Sequence, residues 1–381
     1  MPEWDKHMSF PPPKLSDEEQ AFIDGPCEEL CGMVDDWEIC HELADMPQPV
    51  WDFIIKHRFF AMIIPKQYGG LEFSAYATAM VLAKIGGRSA TVGSTIGVPN
   101  SLGPAELLLH YGTDEQKNRY LPGLASGEEI PCFALTSPQA GSDAASLIDS
   151  GVVCKGKWNG KTITGIKLNW DKRYITLAPV ATVLGLAFKL YDPDHLIGDK
   201  DEYGITAALV PTNIKGVEVG RRHYPLTIAF QNGPTSGKDV FVPLDVIIGG
   251  PENAGKGWKM LVELLSVGRA ISLPSSACGG GQAASYASGA YATIRKQFNT
   301  SIANFEGVGE ALTRIAGNTY IVNSALSVTA GAIDQGEKPA VPSAILQCHC
   351  TELSRKIAND ARDVHAGKGV MRGAGTYVGR G

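Results

Sequence analysis

The chain has 381 residues, 44% of them hydrophobic, enough for two or three domain-sized units with a substantial core. Its net charge of -6 and the lack of any Lys/Arg run exclude an ordinary nucleic-acid protein, because phosphate binding rests on a basic surface. No stretch approaches the roughly 20 apolar residues that span a bilayer, and MPEWDKHMSFPPPK has neither the apolar segment nor the cleavage site of a secretory signal, so a cytoplasmic protein is expected. The eight cysteines lack the spacing of a disulfide framework. Neither Cys27, Cys31, Cys40 and His41 nor Cys348-His349-Cys350 has the paired spacing of a zinc site, and no metal is expected.

Residues 1–130 read as an all-α domain. Ser16-Asp17-Glu18-Glu19 and Thr113-Asp114-Glu115-Gln116 both have capping-box form. Trp51 to Met62 and Ala75 to Ile85 are apolar and poor in breakers. From 131 to 250 the texture changes to short β-prone runs between turn residues: Thr162 to Leu168, Tyr174 to Leu190, Ile205 to Val210, Val217 to Val219 and Val240 to Ile248. Without intervening helices these predict a compact antiparallel β-domain. In 251–381 the helical signal returns, with Val308, Leu312, Ile315, Val322 and Leu326 on one face and Leu346, Cys350, Leu353, Ile357, Ala361 and Val364 on another. These predict long helices of an α-bundle, and Gly279-Gly280-Gly281 predicts a close helix–helix approach. The ending MRGAGTYVGRG has no helix stop followed by a tail, so the bundle is expected to be truncated. The fold class is thus α+β multidomain: N-terminal α-helical domain, middle antiparallel β-domain and incomplete C-terminal bundle.

Gly250-Pro-Glu-Asn-Ala-Gly255-Lys256 has P-loop spacing up to its Lys, but Gly257 stands where Ser or Thr must bind magnesium. Pro251 and Glu252 would also remove a donor and add negative charge inside a phosphate cradle. GKGVMRGAG fails as a dinucleotide fingerprint, since no strand leads in. No Gly-x-Ser-x-Gly elbow is present, and of the isolated histidines only His365, beside a glycine cluster, stands out.

Phe133-Ala-Leu-Thr136-Ser-Pro-Gln-Ala-Gly141-Ser142-Asp143 resembles the signature of acyl-CoA dehydrogenases, and the α, β, α order is also that family's architecture. Ile64-Pro-Lys-Gln-Tyr68-Gly-Gly70, Trp170-Asp-Lys-Arg-Tyr-Ile-Thr176 and Phe230-Gln-Asn-Gly-Pro-Thr-Ser-Gly-Lys-Asp239 resemble its long bacterial fatty-acid β-oxidation branch. The resemblance implies FAD as cofactor, with Phe133, Leu135, Thr136, Gly141 and Ser142 along the flavin and Thr136 and nearby amides donating to the ring. It implies further that Tyr174 packs on the isoalloxazine, that the Thr176 hydroxyl bonds near N5, and that Ser142 and Arg269 face substrate. Arg295-Lys-Gln-Phe298 is similar to the family's Arg-x-x-Phe-Gly helix, in which Arg295 would reach the diphosphate and Phe298 the adenine of the neighbouring subunit's FAD. Asn299 takes the usual Gly position there. Gly367 and Gly369 correspond to a glycine loop that approaches the partner's flavin, and Ala366 replaces a family Gly.

The implied reaction is α,β-dehydrogenation of a medium- or long-chain fatty acyl-CoA to the trans-2-enoyl-CoA, with electron-transfer flavoprotein as electron acceptor and at least a homodimer as the assembly. It needs a carboxylate base in a dry site, where its pKa rises toward neutrality. In the family that is a Glu, either after the glycine loop or beside an Arg on the first bundle helix. Gly268 holds the second position, beside Arg269, and the last Glu is Glu352, so the base is expected beyond Gly381. The competing readings are a flavin- or acyl-CoA-binding fragment or pseudoenzyme without turnover, and an acyl-CoA oxidase.

Overall fold

A computed structural model of the chain describes residues 11–101, 103–371 and 373, with the side chains of 227, 265–267 and 269 outside that description. The chain divides into two compact units: one of Asp52–Glu72 with Thr95–Leu265, the other of the described residues of 1–51, 73–94 and 266–381.

Helices occupy the N-terminal region: α1 Asp17–Asp24, α2 Pro26–Met33, α3 Gln48–Lys56, α4 Ala75–Arg88, α5 Ala90–Gly97, α6 Pro104–Tyr111 and α7 Asp114–Ser126. Both expected capping boxes form. The Ser16 hydroxyl accepts from the Glu19 amide while the Glu19 carboxylate reaches back, and Thr113 and Gln116 do the same at α7.

The sheet holds seven strands: β1 Pro131–Ala134, β2 Ser150–Trp158, β3 Lys161–Thr176, β4 Val183–Tyr191, β5 Glu202–Pro211, β6 Val217–Val219 and β7 Asn232–Pro243. The expected antiparallel pairing holds for β2–β3, β3–β7, β4–β5 and β6–β7. Two pairings differ: β1 and β2 both run parallel to β4, β1 against Val183–Leu186 and β2 against Lys189–Tyr191. Because β5 takes the other edge of β4 along its whole length, β1 and β2 lie end to end. Residues 135–149 carry the chain out and back between them without reversing its direction. The run from Tyr174 to Leu190, which reads as one strand, is broken by a 3-10 turn at Ala178–Val180. One core joins the sheet to α6 and α7 through Leu108, Leu121, Leu124, Phe133, Leu147, Val183 and Leu209. The Gly250–Lys256 stretch is a 3-10 turn, Pro251–Asn253, leading into the next helix, as the plain connection predicts.

Glu106 is partly buried in α6, and burial alone pushes its carboxyl up to about 8. A carboxyl with a raised folded pKa contributes stability below its unfolded value near 4.5, and that contribution is lost as pH rises through about 8. Glu106→Gln is therefore expected to raise the melting temperature at pH 9 by several degrees and leave it unchanged at pH 4, in paired thermal melts.

The other unit is helical. The long helix α8, Gly257–Ile294, continues into it and is followed by α9 Glu306–Asp334 and α10 Ala340–His365. The expected faces are buried at Ile315, Val322 and Leu326 and at Leu346, Cys350, Ile357 and Val364. The close approach expected of the glycines is made by Gly279, whose Cβ would lie 2.0 Å from the Ala83 carbonyl of α4, while Gly87 of α4 answers it. A Cβ on Gly280 would meet nothing within 4 Å. Gly279→Ala is expected to cost about 1–3 kcal/mol; Gly280→Ala should stabilise by up to about 1 kcal/mol through helix propensity. Urea unfolding of the two variants checks the contrast.

Candidate functional site

The signature segment begins as β1 and leaves the sheet at Leu135. Phe133 is 5% exposed and its ring fills the space over Gly185, so that side chain belongs to the core. Leu135 and Thr136 are half-buried, and Gly141 and Ser142 are exposed. Ser137 and Ala140 pair backbone to backbone at 3.2 and 3.1 Å, closing a tight turn. The Ser137 hydroxyl is buried with no hydrogen-bond partner among the described residues.

The segment is fastened to β3. The Lys172 ammonium donates to the Leu135 carbonyl at 2.9 Å and to Asp149 Oδ2 at 2.5 Å. Asp149 Oδ1 accepts from the Asp171 amide at 2.9 Å. The side chains of the pair are 0% and 2% exposed. Burial pulls the Lys172 pKa below the usual lysine range, more than the Asp149 carboxylate raises it. One residue further on, the Arg173 amide donates to the Thr136 carbonyl at 3.0 Å. Among the described residues no acceptor takes the Thr136 N–H.

The second expected flavin segment thus lies against the first. The β3–β7 register shifts between Lys172 and Ile175, and within that bulge Tyr174 takes a left-handed φ of 62°. Its ring is turned out, 67% exposed, and tilts over His223 at 5.3 Å. Asn232 holds the bulge: its Nδ2 donates to the Tyr174 carbonyl at 3.0 Å and the Thr176 hydroxyl at 3.3 Å. Its Oδ1 lies 3.0 Å from His223 Nδ1. Beside Tyr174 opens a cleft of about 400 Å³ lined by Arg173, Arg221, His223 and Ser236. An exposed aromatic face and two guanidinium groups, of which Arg173 pairs with the cleft's own Asp171 at 3.9 Å and Arg221 does not, suit a planar aromatic ligand with an anionic tail.

The remaining candidates lie in the helical unit. Arg295-Lys-Gln-Phe298 does not form the expected helix: α8 ends at Ile294, and Lys296–Gln297 pairs with Thr300–Ser301 as a two-residue hairpin. Phe298 and Asn299 are its turn, at φ 53° and 61°. The turn explains the residue at 299: both central positions need left-handed backbone, which Gly and Asn tolerate. Arg295 is exposed, and Phe298, 89% exposed, touches Phe305 edge-on at 6.1 Å.

Gly367 and Gly369 lie in a 3-10 turn, Ala366–Val370, directly after α10. Gly367 is open, whereas a Cβ on Gly369 would sit 2.5 Å from the Arg362 carbonyl. Ala366 is left-handed at φ 50°, a conformation its replaced Gly would adopt without strain. His365 is engaged structurally, its Nδ1 2.8 Å from the Ala361 carbonyl and its ring stacked on Tyr291 at 4.8 Å. Arg269 lies within α8, and its side chain is outside the described residues. The two carboxylates after Glu352 are both engaged: Asp360 takes a two-pronged contact from Arg314 at 2.8 and 3.0 Å, and Asp363 pairs with Arg362 at 3.4 Å.

Sequence reasoning assigned no role to Lys172, Asp149, Asn232, His223 or Arg221. The first three make their contacts between segments distant in sequence; Lys172 and Asn232 stand inside segments that carry the family resemblance, and Asp149 stands in none of them.

A helical N-terminal region, a middle sheet and a helical C-terminal region bearing this loop define the class of flavin-dependent acyl-CoA dehydrogenases. Models of the acyl-CoA dehydrogenase N-terminal, middle and C-terminal domains match residues 16–128, 132–240 and 255–380. The chain belongs to the acyl-CoA dehydrogenase family, whose cofactor is FAD. It is 64% identical over 104 residues to a protein of Proteus mirabilis called Protein HemX, covering 27% of this chain and 61% of that one. It is 30% identical over 372 residues to the mitochondrial very long-chain specific acyl-CoA dehydrogenase of Mus musculus, covering 96% of this chain; it spans about half, 55%, of that relative's length. Its fold is that of butyryl-CoA dehydrogenase from Megasphaera elsdenii, with a TM-score of 0.83 at 19% identity over 96% of this chain and 92% of that one.

Asn232→Ala would leave the Tyr174 carbonyl and the Thr176 hydroxyl without their shared donor. The expected loss is about 1–3 kcal/mol of unfolding free energy, with weaker FAD retention, read by urea unfolding and by flavin release in gel filtration.

Proposed function

We propose that this chain binds FAD and oxidises the Cα–Cβ bond of a medium- or long-chain fatty acyl-CoA to the trans-2-enoyl-CoA, as a step of fatty-acid β-oxidation. The observation that carries the reading is the joining of Thr136 to Arg173 at 3.0 Å, which sets a free backbone donor beside the exposed Tyr174 ring. FAD, when bound, supplies the acceptor for the β-hydride. The Thr136 amide would donate to one edge of the ring, Tyr174 would cover it, and the Thr176 hydroxyl would bond near N5, while the Ser137 and Ala140 amides stay engaged in their own turn. The buried Ser137 hydroxyl, without a hydrogen-bond partner among the described residues, fits a polar group arriving at this loop.

Ser142 and Arg269 face the acyl-CoA in this reading. Arg295, Phe298, Gly367 and Gly369 serve the FAD of a second protomer, which makes the working form at least a homodimer. Exposure of the Phe298 ring at 89% supports a partner-facing role. The electron acceptor is electron-transfer flavoprotein and the location cytoplasmic; among the described residues no helix is long and apolar enough to cross a membrane.

A second reading, a flavin- or acyl-CoA-binding chain without turnover, is favoured by the carboxylates. Gly268 stands at one base position, and Asp360 and Asp363 are held by arginines. Anaerobic titration of the purified chain with butyryl-, octanoyl- and palmitoyl-CoA separates the readings. A yellow protein whose flavin band bleaches with the longer thioesters is the result expected of a dehydrogenase. A band that shifts without bleaching identifies the binding module, and a protein that takes up no FAD overturns the dehydrogenase reading and the flavin-binding form of the second.

A further inference from the structure

Residues 135–149 form the only connection between two strands that lie end to end on one edge of β4. Its first residue, Leu135, and its last, Asp149, come back to a single atom. The Lys172 ammonium touches the Leu135 carbonyl at 2.9 Å and the Asp149 carboxylate at 2.5 Å. We infer that Lys172, with Asp149, is a positioning residue for the flavin: it pins both ends of the loop and aims the Thr136 amide at the cofactor. The inference deepens the reading of this site given above and rests on it.

The argument follows from amide geometry. The Leu135 carbonyl and the Thr136 N–H belong to one peptide unit, which is planar and trans, so its oxygen and hydrogen point in opposite directions. Drawing the oxygen inward to a buried ammonium turns the N–H away from it. The same residue is held from its other side, because the Thr136 carbonyl accepts from the Arg173 amide at 3.0 Å. A donor fixed at both flanking peptides, with no acceptor of its own among the described residues, is preorganised for an incoming acceptor.

The alternative, that the pair merely stabilises the sheet, is weak on energetic grounds. A buried ion pair is often matched or exceeded in stability by apolar residues of the same volume. Burial also lowers the Lys172 pKa despite its carboxylate partner, so the ammonium is kept at a cost. What a methionine could not replace is a donor with more than one N–H, able to hold a carbonyl and a carboxylate together.

The test uses the full chain loaded with FAD. Removing one partner alone would strand a buried charge, so the variant is the double one, Lys172→Met with Asp149→Leu. Lys172→Met with Asp149→Asn, which also removes the ammonium donor and both charges but keeps an acceptor for the Asp171 amide, serves as a second variant with the same readouts should the first not fold cooperatively. Three quantities are read: far-UV circular dichroism, the FAD dissociation constant by flavin fluorescence, and the midpoint potential of the bound flavin by dye equilibration. Wild-type dichroism is expected, with FAD binding weakened roughly three- to tenfold, the worth of one hydrogen bond. The potential is expected to move to more negative values, because the reduced flavin gains negative charge that the misaimed amide no longer meets. A folded variant with wild-type affinity and wild-type potential overturns the inference and leaves the flavin reading standing. A wild-type chain that binds no FAD overturns the flavin reading and the inference with it.

Discussion

A lysine ammonium withdrawn from water costs several kcal/mol unless oxygen atoms replace its hydration. In this chain Lys172 has no solvent contact, and the oxygens that surround it come from the two ends of one loop. That constraint shapes what lies around it. β1 must leave the sheet where Leu135 can turn its carbonyl inward, and β2 must enter where Asp149 can reach back. Both run beside β4 in the same direction, and these two parallel pairings in an otherwise antiparallel sheet bring the loop's two ends to one ammonium.

Directly beside this closed loop the backbone carries strain. Tyr174 sits left-handed in a bulge, and in the helical unit Phe298 sits left-handed at the tip of a hairpin. Left-handed backbone at non-glycine residues costs on the order of 1–3 kcal/mol each and persists where the surroundings impose it. Asn232 imposes it at Tyr174 by donating to the Tyr174 carbonyl and to the Thr176 hydroxyl two residues on. The tight turn of the hairpin imposes it at Phe298. In both places the result is an aromatic ring held clear of its own unit, which suits a residue meant to lie against a ligand or a second chain rather than a core.

The glycines of the helical unit answer a different demand. Gly279 and Gly87 let α8 and α4 come together backbone to backbone, while Gly280 beside them is free of any such contact. Residues of one type, adjacent in sequence, thus divide between packing and tolerance, and only the side of the helix on which each falls decides which is which.

Local signals made the helices legible. Ser16 with Glu19 and Thr113 with Gln116 cap within one turn of chain, and the apolar positions of α9 and α10 recur at the helical period, so neighbouring residues alone determine them. The segment from Phe133 to Asp143 likewise carried the family in its own letters. β1 and β2 passed unread, because SGVVCKGKW alternates Gly and Lys and gains its strand character only from its neighbours. Arg295 to Phe298 reads as a helix and folds as a hairpin because pairing with Thr300–Ser301 overrides the pattern. Lys172 stands in a strand between Asp171 and Arg173, and nothing in those letters sets it apart from its charged neighbours. That it is the buried one is decided by the partners of β3, since burial is a property of what packs against a residue and not of the residues beside it in sequence.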